Sequence, residues 1–152
     1  MKDFLIALIL LAIIVPFVIL FRFIGIPPWP VLVFVFYYSV FLRMDHTKLK
    51  ETAIGALIGI AVSFSSPVIG LINQGLGELV FLLLLVAYFT FLLPGKIKYI
   101  NHAGNLYLLC LTAIAPGELA LGNLLPVAAG TIGASLLFFV IGIFQRRKRH
   151  ST

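Results

Sequence analysis

The distribution of basic residues between apolar stretches constrains this fold more than any other feature. Six apolar stretches divide the 152-residue sequence, and the eleven Lys and Arg residues fall in the gaps and at the ends. If each stretch crosses a bilayer once, ten of the eleven lie on one face and only Arg22 lies on the other. Short cytoplasmic loops carry the Lys and Arg excess of membrane proteins, so the pattern predicts that both termini are cytoplasmic.

The predicted fold class is all-α, a polytopic membrane helix bundle of six spans within one domain, residues 1–152. The predicted spans are 4–23, 29–42, 52–72, 79–93, 102–115 and 124–144, followed by a basic cytoplasmic tail at 145–152. A span needs about 20 residues to cross a core of about 30 Å, so the second and fifth are short. An even number of spans is favoured, because one span fewer would place the basic tail outside.

Composition supports a membrane protein and argues against other classes. Hydrophobic residues make up 62% of the chain and charged residues 11%, whereas soluble domains have about 45–50% and 25%. The net charge of +6 comes from span ends and the tail, and it favours cytoplasmic retention with some attraction to anionic lipid. We expect the inner (cytoplasmic) membrane as the location, the lipid bilayer as the surroundings and no nucleic-acid partner.

Nothing in the sequence indicates an enzyme. HExxH, GxSxG and Walker-type motifs are absent, and the single cysteine, Cys110, excludes an intrachain disulfide. No catalytic residue, cofactor or metal site is therefore predicted. The first apolar run is longer than the roughly 7–15 residues of a signal peptide and lacks a small-x-small cleavage site, so we expect it to stay attached.

Small residues recur in the third span of each half, as Gly55 and Gly59 and then as Gly130 and Gly133. Glycine faces let helices pack closely in lipid, where no hydrophobic force drives association. We expect this packing within the chain, with contact to a second copy as the alternative. The order long–short–long also occurs twice, which indicates an inverted 3+3 repeat of the kind found in transporters. The alternative is that a small helical membrane protein shows this order by chance.

Neutral polar residues in the short spans and cations at their ends define a predicted substrate pathway. Its residues are Arg43, Tyr38, Ser39, Lys96, Lys98, His102 and Asn105, and Tyr37 belongs to the same polar group. No charged residue lies in mid-span, which argues against a proton relay. A helix N-terminus flanked by cations attracts anions, so the expected solute is a small organic anion. The alternative is that the hydroxyl groups bond back to their own helices.

Two protein families share features of this layout. Trp29-Pro30 opens an apolar, aromatic-rich run, and a basic loop then leads into residues 48–59, KLKETAIGALIG. This resembles the membrane domain of fusaric-acid-resistance-type (FUSC-like) aromatic acid exporters, although the cytoplasmic domain and a clear arginine at the start of span three are missing. With Leu125-Pro126, the layout is also similar to small bacterial inner-membrane proteins of unknown function called YcdZ-like.

The first resemblance implies organic-anion movement through a dimeric membrane unit, and the second implies no known activity. The sequence thus predicts a transporter or channel-like subunit for a small solute, acting as a homo-oligomer with a dimer favoured. The alternative is a non-transporting accessory or scaffold membrane protein whose small-residue faces bind another membrane protein. A chain this short forms a thin bundle, so a path is easier to build at or beside a subunit interface.

Overall fold

The computed structural model describes the backbone of residues 12, 15, 16, 19–95 and 97–149, and side chains as far as residue 143. Over these residues the fold is all-α and contains no strand, as predicted. Three helices in the described part are long and apolar enough to cross a membrane, namely Leu49–Gly70, Gln74–Leu92 and Leu121–Ile143. The predicted first span, 4–23, lies largely outside the described residues.

Six helices follow one another along the described chain. They are α1, described at residues 19–23; α2, Trp29–Phe36, continued by a π-helical turn at Tyr37–Phe41; α3, Leu49–Gly70; α4, Gln74–Leu92; α5, His102–Leu109, continued by a π-helical turn at Cys110–Ile114; and α6, Leu124–Arg149. Two 3₁₀ turns, Pro116–Leu119 and Leu121–Asn123, connect α5 to α6.

Polar caps explain where α4 and α5 begin. The side chain of Asn73 accepts a hydrogen bond from the Leu76 amide at 3.1 Å, so α4 begins at Gln74 and not at residue 79. The connection between α3 and α4 is therefore shorter than the one predicted between residues 72 and 79. Asn101 caps α5 in the same way. An N-cap oxygen satisfies amides that have no partner inside the helix.

Helix α3 is the centre of the bundle. It packs against α4, α5 and α6, whereas α2 packs mainly against α6. The main core forms where α2, α3, α5 and α6 meet, around Phe34, Ile60, Tyr107 and Phe138. Of the apolar window of α3, 44% is buried, against 11% for α4. Helix α4 is therefore an outer helix with an extensive exposed apolar surface.

Each of the two short helices packs on the long helix of the other half of the chain. Helix α5 lies on α3, the long helix of the first half, and α2 lies on α6, the long helix of the second half. The long helices also contact each other. Trp29 at the start of α2 lies beside Tyr107 of α5, with ring centroids 6.1 Å apart, while the end of α2 lies near the start of α5. The two short helices therefore run antiparallel.

Candidate functional site

Helix α5 approaches α3 closely enough for backbone to contact backbone. A Cβ atom added at Gly59 would overlap the carbonyl group of Gly104, and one added at Gly104 would overlap the carbonyl of Gly55. A Cβ atom at Gly55 would overlap the side-chain amide of Asn101. Only glycine leaves room for this approach, so the first turn of α5 is fixed on the small-residue face of α3.

Asn101 joins three helices at this contact. Its Oδ1 atom accepts from the amides of Ala103 and Gly104 at 3.0 and 3.4 Å. Its Nδ2 group donates to the Glu51 carbonyl on α3 at 2.7 Å. Its own carbonyl accepts from the Tyr88 hydroxyl on α4 at 2.6 Å. Asn101 is not among the predicted site residues, although an asparagine immediately before an apolar segment is a typical N-cap signal.

Aromatic side chains hold α2 against α6. The rings of Tyr38 and Phe138 have centroids 4.7 Å apart, and those of Phe34 and Phe138 are 6.3 Å apart. Gly133 of α6 faces the ring of Phe21, and Gly130 faces the side chains of Ile26 and Pro30. These glycines therefore accept side chains from the first half of the chain, whereas Gly59 accepts backbone.

Beyond their contact at Trp29 and Tyr107, the short helices leave an open groove of about 500 Å³. We call it the α2–α5 groove; it is lined by Tyr37, Phe41, Leu42, His102, Asn105, Leu106 and Leu109. Tyr37 and Phe41 stack with ring centroids 5.5 Å apart and form an aromatic wall. That wall is the π-helical turn of α2, and such turns are frequent at functional sites. The groove is mainly apolar, with polar groups from Tyr37, His102 and Asn105.

The structure places the predicted pathway residues in different surroundings. His102 and Asn105 line the α2–α5 groove, and exposed Arg43 directly follows its lining residue Leu42. Tyr38 is fully buried in the core, with its hydroxyl 3.1 Å from Nδ1 of His46. It does not line the α2–α5 groove, whereas its neighbour Tyr37 does. Tyr38 continues the buried face of Val31, Phe34 and Val35 at the i, i+3, i+4, i+7 spacing of an α-helix, whereas Tyr37 lies outside that face.

The remaining pathway residues lie apart from the groove lining. The Ser39 hydroxyl is buried and has no hydrogen-bond partner among the described residues. Lys98 is exposed in the loop before α5, where its carbonyl accepts from Asn101 at 3.3 Å. Lys96 lies outside the described residues. Two other hydroxyls of the bundle, those of Ser63 and Thr112, donate to carbonyls of their own helices at 2.8 and 2.7 Å, so they need no solute to satisfy them.

The loop after α2 carries a carboxylate as well as cations. Asp45 accepts hydrogen bonds from the hydroxyl and the amide of Thr47, at 2.7 and 3.0 Å. These two bonds, the hydroxyl bond first, hold the pKa of Asp45 below its ordinary value. Arg43 and Met44 have φ values of 47° and 58°, which form the tight turn that leads into this loop. The end of the bundle near Arg43 is therefore cationic but not exclusively so.

Two further findings complete the description of the site. In the part of the chain that the structure describes, no group of three or more His, Cys, Asp or Glu residues is placed to hold a metal ion. Comparison of the sequence with family models and curated proteins, and of the structure with solved structures, gave no match. The residues and geometry of the chain itself therefore carry the functional argument.

Proposed function

We propose that this protein is a six-span membrane transporter or channel-like subunit and that the α2–α5 groove forms the path of a small organic anion. The groove between the two short helices is the observation that carries the proposal. Ligand sites in helical proteins are typically concave and mostly apolar, with a few polar groups between helices. Tyr37, His102 and Asn105 supply such groups on otherwise apolar walls.

The lengths of the short helices support a water-filled path at membrane depth. Helices α2 and α5 each have eight α-helical and five π-helical residues. At a rise of about 1.5 Å per residue, either extends about 20 Å, less than the roughly 30 Å of a hydrocarbon core. Irregular backbone at membrane depth is tolerated where it lines a water-filled cavity. The π-helical wall of the groove fits that condition.

The positions of the basic segments support the six-span topology with cytoplasmic termini. The Asn101–Glu51 hydrogen bond brings the loop before α5 to the start of α3. Gly142 of α6 lies against His46 of the loop before α3. These segments, which adjoin nearly all the basic residues of the chain, therefore gather at one end of the bundle. The packing of antiparallel α2 and α5, each on the long helix of the other half, supports an inverted 3+3 repeat within the same proposal.

The preference for an anion rests on side chains and not on the α5 N-terminus. Asn101 already accepts hydrogen bonds from the amides of Ala103 and Gly104, so those donors are engaged by the protein. Arg43 and Lys98 supply the cationic surroundings, and His102 adds a polar ring at the groove itself. A cluster of one charge sign raises the local concentration of oppositely charged solutes.

Solute flux into proteoliposomes tests the proposal. The variant Lys96→Gln/Lys98→Gln should reduce benzoate flux several-fold while choline flux stays at the level of protein-free vesicles. The matched control is Arg147→Gln/Lys148→Gln, which removes two basic residues from the tail on the same predicted face. Equal fluxes of benzoate and choline through the wild-type protein would overturn the proposal. Equal losses of benzoate flux in the two variants would also overturn the proposal. They would show that the basic residues act only through membrane orientation, to which both pairs contribute.

A scaffold function is the second candidate, and the outer surface of α4 favours it. Leu79, Leu82, Leu83 and Val86 are all exposed on this helix. A second membrane protein could pack there, just as lipid could. Absence of any benzoate flux in the reconstituted wild type would leave this candidate ahead. In the transport proposal, the protein acts as a homo-oligomer, with a dimer favoured.

A further inference from the structure

A second groove lies on another face of the bundle, between α3 and α6. We call it the α3–α6 groove; it has a volume of about 390 Å³ and is lined by His46, Leu49, Lys50, Ala53, Leu57, Thr131, Ile132, Ser135, Leu136 and Phe139. None of the residues lining the α2–α5 groove belongs to it. It therefore has no part in the proposed solute path.

We call the lining residues other than His46 and Lys50 the bed of the α3–α6 groove, and this bed presents an effectively apolar surface. Its two hydroxyls are satisfied by their own helix, since Thr131 donates to the Val127 carbonyl at 3.0 Å and Ser135 donates to the Thr131 carbonyl at 2.8 Å. Ile132 and Leu136 are 46% and 58% exposed, so hydrocarbon could contact them directly. From Lys50 to Leu57 the α3 wall extends about 10 Å along the helix axis.

One end of this groove is cationic. Lys50 lies in the first turn of α3, and His46 lies in the loop before it. The backbone of α6 continues as a helix beyond Phe139 to Arg149. No Asp or Glu lines the groove. The apolar bed and the charged end thus have the two-part character of a phospholipid site.

We propose that the α3–α6 groove binds one anionic glycerophospholipid, with an acyl chain along the bed and the phosphate at Lys50 and His46. Basic pockets between helices on the cytoplasmic side favour acidic headgroups. A second copy of the chain fits less well. A two-fold axis along the membrane normal would bring the cationic ends of both copies to the same depth, where they would repel each other.

Native mass spectrometry of the full-length protein in detergent tests this site. The protein is mixed with phosphatidylglycerol or with phosphatidylcholine of identical acyl chains, and bound lipid is counted. We expect retention of one phosphatidylglycerol in preference to phosphatidylcholine. Lys50→Gln should weaken phosphatidylglycerol binding about fivefold, the effect of removing one lysine near an anionic surface. Lys50→Arg should retain the binding, and Lys98→Gln, in another loop, should leave it unchanged.

A second pair of variants tests the groove without changing any charge. Leu136→Trp should fill the bed and abolish lipid retention. Its control is Leu83→Trp on α4, because Leu83 is exposed to a similar extent, 61% against 58%. Three results would overturn the proposal: equal retention of the two lipids, equal effects of the two tryptophan variants, or a dimer that Leu136→Trp disrupts while bound lipid is unchanged. Lipid counts are independent of solute flux, so failure of the lipid site can be distinguished from failure of the transport proposal.

Discussion

The two short helices, α2 and α5, have the same length and the same kind of position but are held by different chemistry. Helix α5 contacts α3 through glycine backbone and through the hydrogen bonds of Asn101. Helix α2 contacts α6 mainly through the rings of Phe34, Tyr38 and Phe138. Close backbone contact leaves no space for any side chain, whereas ring packing adjusts by small rotations. The α5 contact should therefore be intolerant of added atoms, and the α2 contact should be more adaptable.

The largest loss of thermal stability is expected for Gly59→Leu. The new side chain would overlap the Gly104 carbonyl and force α5 away from α3, at a cost of about 1–3 kcal/mol from overpacking. Thermal unfolding in detergent is the measurement. Gly70→Leu is the matched control, because Gly70 lies in the same helix and a Cβ atom there meets nothing within 4 Å. Equal melting temperatures for the two variants would show that α5 does not rest on Gly59.

The next largest loss of stability is expected at Asn101, whose hydrogen bonds hold α5. Asn101→Ala removes both the helix cap and the bond to the Glu51 carbonyl, and we expect a loss of about 1–2 kcal/mol. Asn101→Ser retains an oxygen that can accept at the cap and has no amide donor for the Glu51 carbonyl, so it should fall between the wild type and Asn101→Ala. Asn73→Ala removes a cap that, among the described residues, accepts from the Leu76 amide alone. If it proved as costly as Asn101→Ala, the link from α5 to α3 would contribute nothing.

A smaller effect is expected on the α2 side. Tyr38→Phe retains the ring that packs on Phe138 and removes only the hydroxyl beside His46. The expected loss is about 0.5–1.5 kcal/mol, the net value of one hydrogen bond. The same thermal unfolding assay applies. A loss equal to that of Gly59→Leu would mean that a polar contact, and not ring packing, holds α2, which would break the contrast between the two helices.

The smallest effect concerns Asp45, beyond the end of α2. Its lowered pKa means that its hydrogen bonds stabilise the fold above the ordinary carboxyl pKa of about 4, and this contribution disappears as the pH falls through the lowered value. Thr47→Val should therefore melt slightly below the wild type at pH 7, and the difference should shrink in acid. Thr90→Val is the control, since the Thr90 hydroxyl donates to the Val86 carbonyl and not to a carboxylate. A constant difference for Thr47→Val would show that Asp45 is not the acceptor that matters.

Much of the fold follows from sequence, because apolar length and polar breaks act locally. The predicted second and fifth spans, 29–42 and 102–115, agree within a residue at each end with Trp29–Phe41 and His102–Ile114. Helix α4 begins at Gln74, five residues before the predicted span 79–93, because the side chain of Asn73 caps it there. Gly59 was identified as a packing residue, but its partner Gly104 was not, since pairing between distant helices leaves no local pattern.

The candidate site was harder to predict, for a reason that two adjacent residues illustrate. Tyr37 and Tyr38 have the same side chain, yet Tyr37 lines the groove and Tyr38 is buried in the core. Neighbouring residues on a helix point about 100° apart, and the buried residues Val31, Phe34, Val35 and Tyr38 follow the i, i+3, i+4, i+7 spacing of an α-helix, which places Tyr38 in the core. The sequence named polar residues that line the groove, including His102 and Asn105, but the groove itself depends on how α2 and α5 pack, which leaves no local pattern.

The central claim is that the short helices leave a path for water and solute at membrane depth, and thiol labelling tests it most directly. In a Cys110→Ala background, Asn105→Cys places a thiol in the α2–α5 groove, and Leu83→Cys places one on the exposed apolar surface of α4. The account predicts that a membrane-impermeant maleimide added to reconstituted protein labels Asn105→Cys and leaves Leu83→Cys unlabelled. Failure to label Asn105→Cys from either side of the membrane, in protein that is otherwise folded, would contradict it.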